Sequence, residues 1–85
     1  MNKYKVQILP SADKQISKIS KQYRLKIVDA IEALSHNPRP HGYKKLKGAT
    51  AYRIRIGDFR VLYEIHDDRL IVIVVAAGDR KDIYQ

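Results

Sequence analysis

The chain has 85 residues with no cysteine, and its seventeen Lys and Arg against nine Asp and Glu leave a formal charge of +8. A length of 85 residues predicts one domain, residues 1–85, burying only about 60 per cent of the surface its unfolded chain exposes, so every element has to share one core. Disulfide frameworks, thiolate metal sites and cysteine nucleophiles are excluded, and the basic surplus points to nucleic acid or an acidic protein as partner.

Lys3 to Leu9 alternates Tyr4, Val6 and Ile8 against Lys3, Lys5 and Gln7, the pattern of a half-buried edge strand ended by Pro10. Ser11 offers an N-cap, and Ala12, Ile16 and Ile19 then recur at helical spacing up to about Ser20. A second apolar stripe, Ile27, Ile31 and Leu34 with Val28 beside them, predicts a helix from Tyr23 that Asn37-Pro38 terminates. With few residues between them, the two read as an antiparallel helical hairpin. Pro38 to Gly48 has no periodicity and reads as a basic connection, whose Lys44, Lys45 and Lys47 are either solvated or placed against a phosphate backbone.

Tyr52 to Ile65 holds the clearest local signal. Two alternating runs flank Gly57-Asp58, a two-residue hairpin loop with glycine first. That loop sets Ile56 opposite Phe59, Arg55 opposite Arg60, Ile54 opposite Val61, Arg53 opposite Leu62 and Tyr52 opposite Tyr63. One face is then apolar, while the other carries Arg53, Arg55 and Arg60, an arrangement of like charges that an anion would relieve. Asp67-Asp68 makes the next turn, and Leu70 to Ala77 reads as a central strand buried on both faces. This run is far too short to span a bilayer, and Met-Asn-Lys-Tyr-Lys at the amino terminus lacks an apolar signal core, so a cytoplasmic location is expected. The expected pairing sets Ile65 against Leu70, Leu62 against Ile73 and Arg60 against Val75, which brings the tail after Gly78, with Arg80 and Tyr84, to the end of the sheet that holds Arg55 and Arg60. The predicted fold is α+β: an N-terminal strand, a two-helix hairpin and a three-stranded antiparallel meander, with the helices on one face of a four-stranded sheet.

Phosphate-binding glycine loops and Ser-His-Asp spacings are missing, and His36, His41 and His66 are too scattered to form a metal site, so no cofactor is expected. Glu64 reads as an exposed strand position. What remains is the arginine face. Guanidinium groups converging on one point suit a phosphodiester and its doubly charged transition state, and RNA brings its own nucleophile in the 2′-hydroxyl. Tyr84 can transfer a proton or stack on a base.

The run Tyr52-Arg53-Ile54-Arg55-Ile56-Gly57-Asp58-Phe59-Arg60-Val61-Leu62-Tyr63, with the close Gly78-Asp79-Arg80-Lys81-Asp82-Ile83-Tyr84, resembles the RelE toxins of the RelE/ParE toxin-antitoxin superfamily. The resemblance implies a toxin that cleaves mRNA in the ribosomal A site and is held inactive by a cognate RelB-like antitoxin in a hetero-oligomer. By position it implies that Arg55 and Arg60 clamp the phosphate, that Arg80 stabilises the transition state or protonates the leaving oxygen, and that Tyr84 orients or activates the 2′-hydroxyl. Arg53, Lys44, Lys45, Lys47 and Lys81 would bind RNA. Members of the family commonly carry Lys where this chain has Arg55, and Lys or His where it has Asp79, which leaves the general base open. Two rivals stay in view: a ParE-type toxin without nuclease chemistry that inhibits DNA gyrase, and a non-catalytic RNA-binding module.

Overall fold

The computed structural model describes residues 3–48 and 50–79. In chain order these form β1 (Lys5–Ile8), α1 (Pro10–Ser17), α2 (Lys21–Ala33), β2 (Lys44–Lys45), β3 (Ala51–Ile56), β4 (Phe59–His66) and β5 (Ile71–Asp79). The strands make one sheet in the order β1-β5-β4-β3-β2, with β1 parallel to β5 and the other neighbours antiparallel. The α+β reading and the order of its main elements stand, but the sheet has five strands rather than four. The added strand, β2, lies in the connection read as loop: Lys44 pairs with Arg53 and Lys45 with Tyr52. Two residues are too few to display alternation, so nothing in the local pattern announces them.

Helix α1 begins one residue before the expected cap. Leu9 holds the N-cap position and Pro10 the first helical one, where its missing N–H costs nothing and its fixed φ suits the helix. Ala12, Ile16 and Ile19 pack with Ile27, Ile31 and Leu34 onto Ile54, Val61, Tyr63, Val72, Val74 and Ala77 to form the core. Both expected helical stripes therefore face the sheet. Past Val74, where β1 stops, Gln15 on α1 accepts the N–H of Ala77 through its Oε1 at 3.0 Å.

The β3–β4 hairpin has the register expected from its loop, from Ile56 opposite Phe59 to Tyr52 opposite Tyr63. The β4–β5 register does not. Ile65 pairs with Val72 and not Leu70, because Asp67 to Leu70 form a four-residue turn that His66 and Ile71 close. Leu70 ends the turn at φ 54, a left-handed conformation that costs a non-glycine residue about 1 kcal/mol and that no sequence rule assigns to leucine. A second slip follows: Tyr63 pairs with Val74 but Leu62 with Ala76, leaving Val75 as the extra residue of a bulge. Together these bring Gly78, and not Val75, opposite Arg60. Strand β5 is also buried on one face only, since Val72, Val74 and Ala77 meet the helices while Ile71, Ile73 and Ala76 stay half-exposed on the other side.

At the opposite end of the sheet Asp67 ties three segments together. Its carboxylate accepts the Tyr4 hydroxyl at 2.5 Å and both terminal nitrogens of Arg39 at 2.8 and 3.2 Å. The Arg39 guanidinium, more than the Tyr4 hydroxyl, pulls Asp67 from 3.8 down to about 2, and the same bond to Asp67 raises the Tyr4 phenol. Reading Asp67 as a turn residue alone missed this, because both partners are remote in sequence.

Candidate functional site

Side chains at Arg53, Arg55 and Arg60 share the sheet face turned away from the helices, because the apolar partners Ile54, Val61 and Tyr63 occupy the other. Arg55 is exposed, whereas Arg60 is only 7 % exposed although no helix covers it. The row across the sheet at this level is Arg55, Arg60, Gly78, and the glycine contributes no side chain opposite the Arg60 guanidinium. Arg55, Arg60, Gly57 and Asp58 line a cleft of about 80 Å³ at the hairpin tip. Gly57 holds φ 61 there with open space around its Cβ position, so the turn requires glycine for its backbone and not for room.

One row further along, Arg53 stands between Lys44 and Leu62. It is half-buried, and its Nε has no hydrogen-bond partner although it is buried, an unsatisfied donor on the basic face. Lys44, Lys45 and Lys47 are all exposed. Lys44, opposite Arg53, joins the arginine face, while Lys45, opposite Tyr52, lies toward the other side of the sheet, so the three lysines are not one patch.

Arg80, Lys81 and Tyr84 lie outside the described residues. Strand β5 ends at Asp79, paired with Phe59 beside the hairpin tip, so the sequence that carries them starts at the end of the sheet that holds Arg55 and Arg60. Glu64, read as a bare strand position, is paired with His66 at 3.0 Å. His41 stands beside Arg55 in a separate cleft of about 400 Å³ whose walls include Ala30, Ala33, Ile54 and Ile56. Among the described residues no group of three His, Asp or Glu side chains is placed to hold a metal ion.

The arrangement is therefore a small polar cleft with two guanidinium groups and a carboxylate, continued by Arg53 and Lys44 into a basic strip. Guanidinium and ammonium groups set out in this way suit phosphate oxygens chemically. Asp58 was read only as a turn residue; the signal that finds it is its place in the loop between two arginines paired across the hairpin.

A sequence profile of the ParE toxin of the type II toxin-antitoxin system parDE matches residues 6–84. Over 76 residues the chain is 38% identical to the toxin RelE1 of Methanocaldococcus jannaschii, covering 84% of each chain. It is 28% identical over 86 residues to a RelE-like toxin protein of Escherichia coli, covering 96% of this chain and 90% of that one. Among solved structures, the toxin-antitoxin complex RelBE2 from Mycobacterium tuberculosis superposes with a TM-score of 0.84 at 26% identity, covering 96% of this chain and 97% of that one. The likeness runs through the hairpin that carries the arginine face, and the chain belongs to the ParE toxin family of type II toxin-antitoxin systems, as a RelE-type toxin of the RelE/ParE superfamily.

Proposed function

We infer that this toxin is a ribosome-dependent mRNA endoribonuclease of the cytoplasm that works without a metal ion or organic cofactor. The observation that carries the reading is the pairing of Arg55 with Arg60 across the hairpin, both lining one cleft at its tip. A phosphodiester seated there meets two guanidinium groups, which stabilise a second negative charge as the RNA 2′-hydroxyl attacks phosphorus in line. Arg80 completes the clamp and Tyr84 orients the hydroxyl or moves a proton. Arg53 and Lys44, which share the arginine face, and Lys81 hold the flanking RNA. A RelB-like antitoxin holds the toxin inactive in a hetero-oligomer, a reading supported by the likeness to the toxin-antitoxin complex RelBE2 from Mycobacterium tuberculosis.

The test is translation of a defined message on purified ribosomes with the added protein, followed by mapping of the cuts. Arg60→Ala and Arg80→Ala are each expected to lower A-site cleavage about 100- to 1000-fold, the cost of one transition-state donor, with the far-ultraviolet circular dichroism kept. Cleavage at the wild-type level in both variants refutes the reading.

The profile match carries the ParE name, and this favours a second reading in which the same fold inhibits DNA gyrase without cutting RNA. Expression in growing cells separates the two, since one predicts translation arrest and the other DNA damage. No growth arrest at all would leave a non-catalytic RNA-binding module.

A further inference from the structure

In-line attack by the 2′-hydroxyl needs a group to take its proton. The guanidinium groups of Arg55 and Arg60 are unsuited to this, since arginine stays protonated up to a pH above about 12. Resting on the endoribonuclease reading, we propose that Asp58 is the proton acceptor. Asp58 lines the same cleft as Arg55 and Arg60, so a phosphodiester bound there has this residue in the wall of its site. Asp58 is exposed and makes no hydrogen bond or ion pair among the described residues. The nearby acids are engaged in contacts of their own: Glu64 with His66, Asp67 of the following turn with Arg39 and Tyr4, and Asp79 at the end of β5 likewise. His41 shares a cleft with Arg55 but not with Arg60, and that cleft is walled by apolar side chains of α2 and β3.

Charge supports the assignment. Asp58 is the acid among the residues that line the cleft, beside the two arginines. As the 2′-oxygen bonds to phosphorus, the phosphorane gains a second negative charge, and the proton passing to Asp58 removes the carboxylate's own charge at the same moment. With the carboxylate neutralised as the charge on the phosphorane grows, the cleft binds the transition state better than the substrate, which is what accelerates a reaction. The 2′-oxygen–phosphorus bond forms and the phosphorus–5′-oxygen bond breaks. The leaving 5′-oxygen draws a proton from water, and the hydroxide so made takes the proton back from Asp58. The products are a 2′,3′-cyclic phosphate and a 5′-hydroxyl, with no net proton gained or lost.

Single-turnover cleavage of a message bound to purified ribosomes, measured across pH, tests this. Asparagine suits the same turn position, so Asp58→Asn changes the base and leaves the hairpin in place. It is expected to cut about 100-fold more slowly or worse, the typical share of a general base. Wild-type rates should be level between about pH 7 and 9, whereas Asp58→Asn should gain about tenfold per pH unit as hydroxide takes over. Its melting temperature and its binding of a message with 2′-deoxyribose at the cut site should hold, and Asp58→Glu should keep the level profile. An Asp58→Asn rate within about threefold of wild type, or a level profile in that variant, overturns the assignment and leaves the endoribonuclease reading standing. A profile in Asp58→Glu that rises like that of Asp58→Asn also overturns it, even where Asp58→Asn fails to fold. Absence of any cut by the wild-type protein overturns both.

Discussion

Replacing Tyr63 by phenylalanine removes one oxygen from the centre of the molecule. Tyr63 is fully buried in mid-β4, and its hydroxyl donates to the carbonyl oxygen of Pro38 at 2.7 Å, fastening the chain that leaves α2 to the middle of the sheet. Phenylalanine keeps the ring packing but leaves that carbonyl without its donor, a loss of about 1–3 kcal/mol. In a domain of this size the melting temperature should fall by roughly 5–15 °C at pH 8. The pH dependence supplies a second, independent reading. Burial pushes the Tyr63 phenol up to about 12, aided by Tyr43 and Tyr52 and opposed by Arg39. The unfolded phenol ionises near 10, so the stabilisation held in the protonated folded form is complete below pH 10 and is lost as pH rises through about 12. A shift of that size corresponds to about 2–3 kcal/mol. Wild type should lose this amount across that window while Tyr63→Phe does not, so urea unfolding of the two proteins should differ at pH 8 and nearly coincide by about pH 11.5. A stability difference that stays constant across that range, or none at pH 8, refutes the account of Tyr63.

Asp67 acts at the other end of the pH scale. Its carboxyl is held down to about 2 by Arg39 first and Tyr4 second, so its stabilisation is present above the ordinary value of 3.8 and disappears as pH falls through about 2. Asp67→Asn should flatten this part of the acid unfolding curve followed by circular dichroism, and superimposable acid curves would disprove the clasp. Gly57→Val should cost about 1–2 kcal/mol in urea unfolding through its positive φ alone, since nothing lies near its Cβ position. It should also depress cleavage by disturbing the pairing of Arg55 with Arg60, and an unchanged urea midpoint would contradict the turn geometry.

The arginine face was legible because one short loop determines it. Once Gly57-Asp58 is recognised, the alternation of side chains assigns Arg53, Arg55 and Arg60 to one face and Ile54, Val61 and Tyr63 to the other, with no distant information needed. The core stripes of α1 and α2 follow in the same way from helical spacing. Asp58 was legible as a turn residue but not as a wall of the cleft, because its neighbours there depend on how the whole tip is closed.

Features governed by partners far along the chain escaped the sequence. The slip between β4 and β5 arises from a turn that ends on a left-handed leucine and from a bulge at Val75, and neither has a local residue signature. Pairing of β2 with β3 and the convergence of Tyr4, Arg39 and Asp67 likewise join residues that only folding brings together. Local geometry, acting over a few bonds, decides which face a side chain takes, and the sequence alone carried that much. Tertiary packing decides what stands opposite it: the closed register of β5 sets Gly78 against Arg60 and leaves that arginine buried beside an exposed Arg55 at the mouth of one cleft.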